Sequence, residues 1–295
     1  MSNKILVLGA TGNIGSFLVQ ELQKKNADFI TGVPARDRAK LSNVGVESAE
    51  VDFSDTATLD AAMAGIDTVF MLLPAAENMV NWATNIVASA LKQHVGFIIR
   101  SSLIDAHPDS PYFLFNIHGR IDQIVRDSGL RYSIVHPNAF MQNFVAYYAD
   151  AICNDNAFYF SQDRKAQVSY VDVRDIAAVD AEILSDPIPH DGIEYTVTGP
   201  EALTCDDIAA ALSQAAGRDI EYIPLDREQY AASLQKIGMN EWSIKAFLSL
   251  DDHTNDNRQS VVTDDVRRLT HRAPIDFRKF ASDYARAWKK VPVKV

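Results

Sequence analysis

The first half of the chain alternates short apolar runs with amphipathic stretches. Six segments have the composition of strands buried in a sheet: KILVLGA, FITGV, VESAEVDF, DTVFMLLP, GFIIRSS and RYSIVHP. The stretches between them place apolar residues at helical spacing, as Ile14, Phe17, Leu18 and Leu22 do in the first one. Strands and helices that alternate with short connections predict an α/β fold, a doubly wound parallel sheet with helices on both faces.

Past the middle of the chain this alternation gives way to a mixed pattern of short strands and helices. We therefore expect residues 1–150 to form the sheet domain, with residues 168–200 returning to it. Residues 151–167 and 201–295 are expected to form a smaller, partly interleaved C-terminal lobe. The segment DDHTNDNRQS, residues 251–260, is polar and lacks periodicity, so the sequence predicts a mobile loop there.

Composition narrows the function classes. The chain has 295 residues, a formal net charge of −11 and no basic run, so binding to nucleic acid is not expected. No segment has the length of an apolar membrane span, and the first residues lack the pattern of a secretion signal. Cys153 and Cys205 form no paired motif, and no histidine pair has metal-ligand spacing. We therefore expect a cytoplasmic protein without a metal site and without a membrane partner.

A glycine-rich motif follows the first predicted strand. The segment GATGNIG places Gly9, Gly12 and Gly15 between that strand and the first helix. Gly9 suits a tight turn, Gly12 lets the backbone approach a pyrophosphate, and Gly15 allows close packing of the helix on the strand. The first amides of the helix would face the phosphates, and Thr11 and Asn13 could add polar contacts. These features predict a Rossmann domain that binds a dinucleotide; the alternative is a glycine-rich turn with no ligand.

The end of the second strand indicates which dinucleotide is bound. A carboxylate at this place would bind the ribose 2′-hydroxyl of NAD, but no carboxylate ends the strand in TGVPARDRAK. Arg36 and Arg38 follow closely instead, and a guanidinium suits the 2′-phosphate of NADP. We therefore predict that NADP(H) is preferred over NAD(H). The alternative is that both arginines are solvated loop residues.

Several segments together resemble the NmrA-like family of atypical short-chain dehydrogenases/reductases. They are GATGNIG, GVESAEVDFSD, DTVFMLLP, HGRIDQIVRDSGLRYSIVHPNAFMQNF, VSYVDVRDIAAV and YTVTGPEALT, with APIDFRKFASDYARAW near the end. The resemblance covers nearly the whole chain and implies NAD(P)H-dependent reduction of a small molecule such as a quinone, an azo or triphenylmethane dye, an enone or an iminium ion. The family also contains NmrA, a redox sensor that binds nucleotide without turnover, so a sensor acting on a protein partner is the alternative.

The resemblance also assigns residues to the cofactor and to the substrate. Those implied to contact the cofactor are Gly9, Thr11, Gly12, Asn13, Ile14, Gly15, Asp52, Phe53, Leu72, Leu73, Pro74, Ser101, Pro137 and Asn138. Those implied for the substrate are Ser102, Asn138 and Phe140. To these we add Tyr147, an aromatic residue that could stack on a flat substrate or simply pack. Two positions depart from the family, because Pro34 and His136 stand where arginines are common, and the first departure moves the phosphate contact to Arg36 or Arg38.

The catalytic position departs further. In the isoflavone-reductase-like relatives a lysine stands eleven residues before the glycine that is Gly129 here, and that position holds His118. Four residues earlier, where the wider superfamily has a tyrosine, stands Leu114, which cannot donate a proton. His118 could bind the nicotinamide ribose or act as a general acid. Alternatively, hydride transfer could proceed with little acid help, or His118 could be a surface residue that pairs with Asp122.

These features predict an NADP(H)-dependent oxidoreductase that transfers hydride to a conjugated or electron-poor small molecule without the usual tyrosine–lysine pair. His118 is the catalytic candidate and a candidate cofactor contact. The loss of the tyrosine disfavours ordinary ketone reduction, because the alkoxide product needs a proton. The sheet domain is expected to bind the cofactor and the C-terminal lobe the substrate.

Overall fold

The structure is a computed structural model that describes residues 3–42 and 45–289. It divides the chain into two compact units, each built from separate segments. The first unit holds the described residues up to Pro111, Phe115–Pro137 and Val173–Thr196. The second holds Tyr112–Leu114, Asn138–Asp172 and the described residues from Val197 onward. The chain therefore leaves the first unit and returns to it before it ends in the second.

A seven-stranded sheet organises the first unit, and two further strands pair in the second. In chain order the strands are β1 (Ile5–Leu8), β2 (Phe29–Val33), β3 (Ser48–Glu50), β4 (Thr68–Met71), β5 (Phe97–Ser101), β6 (Arg131–Pro137), β7 (Ala157–Phe160), β8 (Ile193–Val197) and β9 (Glu221–Pro224). The order across the large sheet is β3-β2-β1-β4-β5-β6-β8, and every pair from β3 to β6 is parallel. This order confirms the doubly wound, Rossmann-like sheet predicted from the sequence.

Helices lie between most of the strands along the chain and continue after the last strand. In the described residues they are α1 (Asn13–Lys24), α2 (Arg38–Ser42), α3 (Thr56–Met63), α4 (Met79–Lys92), α5 (Phe113–Arg126), α6 (Ala149–Asn154), α7 (Val173–Ser185), α8 (Cys205–Ala216), α9 (Arg227–Lys236), α10 (Glu241–Asn255), α11 (Asp265–Thr270) and α12 (Phe277–Asp283). Every residue of β1 and β4 is buried, as expected for strands covered on both faces. Within the described ranges, no helix is long and apolar enough for a bilayer crossing, and no group of side chains gathers as metal ligands.

An aromatic cluster forms the centre of the second unit. Phe144 is almost fully buried, and its ring meets those of Phe158, Phe160, Tyr170 and Phe277 edge-on, with centroids 5.1–5.9 Å away. Edge-to-face pairs at these distances are favourable in addition to the apolar area that they bury. The second unit therefore has a core of its own.

The boundary between the units differs from the predicted one. The sequence placed residues 138–150 in the sheet domain, whereas the structure places them in the second unit. The reason is that Phe144 anchors the aromatic cluster of that unit, while the Asn138 N–H donates to the carbonyl of Val197 at 3.0 Å. The returning segment, Val173–Thr196, is also shorter at both ends than expected. The division of cofactor and substrate binding between the units stays a prediction.

The first half of the polar segment predicted as a mobile loop is helical, so that prediction was wrong for residues 251–255. Helix α10 continues to Asn255, and Asp251, His253 and Thr254 are buried. The Asp251 carboxylate accepts hydrogen bonds from the N–H and hydroxyl of Ser161, both at 2.8 Å, and from the Gln162 amide at 2.8 Å. These polar side chains find partners inside the protein instead of in water, which a local pattern does not reveal.

Candidate functional site

The glycine turn joins β1 to α1. Gly9 has a φ of +80°, in the left-handed region that favours glycine, and the Gly12 N–H donates to its carbonyl at 3.0 Å. A Cβ added to Gly9 would lie 2.7 Å from the carbonyl oxygen of Leu72. A Cβ added to Gly15 would lie 2.1 Å from the carbonyl oxygen of Gly9. Close backbone packing therefore requires glycine at both positions.

The N-terminus of α1 fits an anion. Gly12 occupies the N-cap position in an extended conformation, and among the described residues no side chain caps the helix. Thr11, Gly12 and Asn13 are exposed, while Ile14 and Gly15 are buried beneath them. An uncapped N-terminus presents unbonded N–H groups and a partial positive charge. The turn therefore has the geometry and the electrostatics that a pyrophosphate requires.

The other cofactor candidates of the first unit lie at the ends of neighbouring strands. Because these strands are parallel, their carboxyl ends meet at one edge of the sheet. The candidates at that edge are Gly9, Arg36, Arg38, Asp52, Phe53, Leu72, Leu73, Pro74, Ser101 and Ser102. Ser101 is 1% exposed, and its hydroxyl has no hydrogen-bond partner among the described residues.

Beside the candidate adenine end, Asp52 and the two arginines are exposed and Phe53 is half-buried. The Asp52 carboxylate accepts from the Ser54 N–H at 2.8 Å, and the Phe53 ring lies 5.8 Å from that of Trp82. Arg36 is 83% exposed and stands 3.8 Å from the neighbouring carboxylate, while Arg38 donates to a backbone carbonyl at 3.3 Å. Both guanidiniums are exposed and therefore accessible to an anion.

A buried polar cluster lies where β5 ends. It consists of Arg100, Ser102, His118, Asp122 and His136, and we call it the edge cluster. The Ser102 hydroxyl donates to Asp122 Oδ2 at 2.6 Å, and Arg100 Nε lies 3.7 Å from Asp122 Oδ1. Burial lowers the pKa of Arg100 to about 10, so the guanidinium stays charged at neutral pH. Burial raises the pKa of Asp122, an effect that Arg100 and His136 oppose.

His118 is partly buried, and its hydrogen bond goes to Arg100 rather than to Asp122. An Arg100 Nη2 atom lies 3.2 Å from His118 Nδ1. A guanidinium has donors and no acceptor, so Nδ1 accepts the hydrogen bond and the ring hydrogen is on Nε2. Burial, with the positive charges of Arg100 and His136, lowers the pKa of His118 well below 6.5. The interpretation of His118 as a surface partner of Asp122 was therefore wrong.

His136 has the opposite environment. Its Nδ1 lies 3.1 Å from the carbonyl oxygen of Leu103, and its Nε2 lies 2.8 Å from Glu194 Oε2. Both partners accept hydrogen bonds, so both ring nitrogens of His136 face acceptors. The hydrogen bond from His136, with those from Arg126, lowers the pKa of Glu194 to about 2 despite partial burial.

Sequence reasoning missed three members of this network. Asp122 was considered only as a partner of His118, and neither Arg100 nor Glu194 was considered at all. One signal was available for Arg100, because a charged residue interrupts the apolar strand FIIRS. Glu194 gave no such signal, since its contact with His136 spans 58 residues.

The candidates in the second unit are held differently. Asn138 is fully buried, and its side-chain amide donates to Ser169 Oγ at 2.7 Å and to the carbonyl of Gln259 at 2.8 Å. Its side chain therefore links segments of the second unit, and its role in binding stays a prediction. Phe140 is half-buried, and Tyr147 is 44% exposed with its ring against Phe247. Pro137, the last residue of β6 in the first unit, is buried and accepts a backbone hydrogen bond.

The second unit also encloses a cavity of about 40 Å³ that sequence reasoning did not identify. Six of its thirteen lining residues are tyrosine or phenylalanine, and Asp251 and Gln162 are also in the wall. Burial raises the pKa of Asp251 to about 6, an effect that the hydrogen bonds from Gln162 and Ser161 oppose. A cavity of this volume accommodates water molecules rather than a substrate.

Comparisons with known proteins agree with this architecture. The model of the NmrA-like family matches residues 1–284. An NAD(P)H azoreductase of Xenophilus azovorans is 37% identical, and the alignment covers 96% of this chain and 99% of the relative. The structure of the Escherichia coli quinone oxidoreductase complexed with NADPH superposes with a TM-score of 0.86 at 22% identity, covering 95% and 99% of the two chains. The Citrobacter sp. triphenylmethane reductase complexed with NADP(H) gives 0.85 at 21% identity, with the same coverage. At these identities the two structures support the fold alone.

Proposed function

Because this chain belongs to the NmrA-like family, we propose that it is an NAD(P)H-dependent reductase that prefers NADPH and transfers hydride to a conjugated or electron-poor small molecule. The observation that carries the proposal is the uncapped glycine turn, in a chain 37% identical to an NAD(P)H azoreductase over nearly its full length. When bound, NADPH would supply the hydride. The chain itself would bind and orient the nucleotide and the acceptor, and its charged groups would set the electrostatic environment around them.

The first unit supplies groups for each part of the nucleotide. The amides at the start of α1 would hold the pyrophosphate, as the open side of Gly12 and the uncapped helix end suggest. Arg36 and Arg38 are exposed cations directly after β2 and would hold the 2′-phosphate, which supports a preference for NADPH over NADH. Ser101 offers a buried hydroxyl with no partner in the described chain, at the same edge of the sheet.

The acceptor class follows from the missing proton donor. Leu114 replaces the tyrosine of the wider superfamily, and the environment of His118 disfavours a charged ring at neutral pH. A ketone would become an alkoxide that needs a proton from a nearby acid. Quinones and cationic or iminium carbons are stronger hydride acceptors, and a cationic carbon needs no proton at all. We therefore propose acceptors of this kind, for which positioning contributes most of the catalysis.

Oxidation of NADPH by the purified protein tests the proposal. The panel contains a quinone, an azo dye, a cationic triphenylmethane dye, a cyclic iminium ion and, as a matched control, a saturated ketone. We expect turnover above the protein-free rate with at least one of the first four and none with the ketone. Tight binding of NADPH without turnover of any acceptor would instead favour an NmrA-like redox sensor, which the absence of a tyrosine at Leu114 also permits.

A further inference from the structure

Arg100 is the most unusual side chain of the edge cluster. It lies in β5, whose five residues are all buried, and it is itself 0% exposed. Arginine is rarely buried so deeply without compensation, because loss of hydration is costly for a charge. Its charge is compensated by Asp122, whose Oδ1 lies 3.7 Å from Arg100 Nε, and the other end of the guanidinium reaches His118. A buried cation in contact with the catalytic candidate calls for a role beyond packing.

We propose that Arg100 is a positioning residue that holds His118 as a neutral ring with its hydrogen on Nε2. The chemical meaning of this proposal rests on the proposed function, since His118 is the catalytic candidate of that function. The guanidinium donates to Nδ1 across 3.2 Å and cannot accept a hydrogen bond in return. A hydrogen on Nδ1 of His118 would therefore point at a hydrogen of the Arg100 guanidinium. Only the tautomer with hydrogen on Nε2 fits this contact.

The charges around the ring oppose a second proton. Arg100 on β5 is positive, and a protonated His136 on β6 acts on His118 in the same direction. The two nearby carboxylates are already engaged: Asp122 by Ser102 and Arg100, and Glu194 by His136 and Arg126. A charged His118 would add a cation beside Arg100 without gaining a carboxylate of its own. The two histidines thus differ in their partners, since His118 faces a donor and His136 faces two acceptors.

A neutral ring with hydrogen on Nε2 can donate a hydrogen bond but is a very poor acid. Release of that hydrogen would leave an imidazolate anion, so the ring donates a hydrogen bond without giving up its proton. His118 would therefore stabilise negative charge that develops on an oxygen or nitrogen of the acceptor.

A quinone gains two electrons and one hydrogen as hydride, and the second proton comes from water. An iminium carbon gains the hydride and becomes a neutral amine with no proton needed.

The first test observes the ring directly by nitrogen-15 NMR, which distinguishes protonated from unprotonated ring nitrogens. It works with or without nucleotide and does not depend on turnover. We expect His118 to keep an unprotonated Nδ1 and a protonated Nε2 from about pH 6 to about pH 9, although an unperturbed histidine titrates near pH 6.5. Hydrogen on Nδ1, or a second proton gained near pH 6.5, would overturn the proposal.

Variants of the buried pair test the role of Arg100. Arg100→Met combined with Asp122→Asn removes both charges together, so no uncompensated charge is left in the protein. We expect His118 in this double variant to sample both tautomers and to titrate. Asp122→Asn alone keeps the guanidinium beside the ring and should preserve hydrogen on Nε2. A double variant that retains the wild-type tautomer contradicts the proposal; if it does not fold, the wild-type spectrum still decides.

Activity distinguishes hydrogen-bond donation from proton transfer. A glutamine at position 118 can accept from Arg100 through its carbonyl and donate through its N–H, but it cannot release a proton. We expect His118→Gln to keep kcat within about tenfold of wild type, and His118→Ala to lose about 10- to 100-fold. Equal losses in both variants would contradict the donor role. If the wild type turns over no acceptor, the proposed function fails while the spectrum still reports the tautomer.

Discussion

Replacing Gly12 or Gly15 by alanine should separate nucleotide binding from folding. A Cβ at Gly15 would lie 2.1 Å from the carbonyl oxygen of Gly9 and 2.7 Å from Cα of Ala10, and neither backbone atom can move aside easily. Overpacking costs about 1–3 kcal/mol, and contacts this short place Gly15→Ala at or above the upper end. A Cβ at Gly12 would meet only the Gly9 carbonyl, at 3.4 Å. Its φ of −81° also suits alanine. Gly12→Ala should therefore change the free energy of unfolding by no more than about 1 kcal/mol.

Gly12→Ala should weaken nucleotide binding although it has little effect on stability. The added methyl group would stand on the open side of the turn, where the pyrophosphate is proposed to approach. Loss of one hydrogen bond to a charged oxygen costs about 1.5–3 kcal/mol, which raises Kd for NADPH about 10- to 100-fold. Urea unfolding without nucleotide measures the stability of both variants, and calorimetric titration measures Kd. If Gly12→Ala binds NADPH as tightly as wild type, the glycine turn does not hold the pyrophosphate.

Other substitutions address the cofactor preference and the buried carboxyl groups. Arg36→Ala combined with Arg38→Ala should raise Kd for NADPH about 10- to 100-fold and leave Kd for NADH unchanged, because only NADPH has a 2′-phosphate. Asp180 is fully buried with no partner among the described residues, and burial raises its pKa well above 3.8. Its contribution to stability is therefore full below about pH 4 and is lost as the pH rises, and Asp180→Asn should flatten that loss in urea unfolding. Asp251→Asn should lower the free energy of unfolding by about 1–3 kcal/mol, because its amide N–H would face a donor that now bonds the carboxylate.

Exposed neighbours provide matched controls for these substitutions. Lys24→Ala removes an exposed cation at the far end of α1 and should affect neither nucleotide. Asp186→Asn changes an exposed carboxylate, and Asp252→Asn changes a half-buried one that pairs with Arg227. Each should change the free energy of unfolding by less than about 1 kcal/mol. Equal loss of affinity for NADPH and NADH would refute the assignment of the arginines. A pH profile that Asp180→Asn does not alter would mean that this carboxyl group is ionised inside the protein.

Local sequence patterns were sufficient for the sheet and for the glycine turn. The central strands of the sheet are short apolar runs, and the close packing around Gly9 and Gly15 involves residues of neighbouring segments. The parallel, doubly wound arrangement followed from the alternation of strands and helices. The strands and the spacing of the glycines depend on residues that are close in the sequence, which is why the pattern predicted them.

The edge cluster and the polar part of α10 could not be predicted in the same way. His118 contacts Arg100, 18 residues away, and His136 contacts Glu194, 58 residues away, so protonation states depend on distant partners. Asp251 follows the same principle, because its partner Ser161 is 90 residues away. Its polar segment therefore had the local composition of a solvated loop although Asp251, His253 and Thr254 are buried. The boundary near residue 138 was missed because Phe144 belongs to a core assembled from distant segments.

The most direct test of the central claim is the fate of NADPH bound to the protein in a single turnover. Protein saturated with NADPH is mixed with each acceptor in a stopped-flow instrument, and the loss of the reduced nicotinamide is followed by absorbance. The account predicts that an electron-poor acceptor oxidises the bound nucleotide with one reduced product formed for each NADPH lost. Tightly bound NADPH that stays reduced with every quinone, dye and iminium ion would contradict the assignment as a reductase.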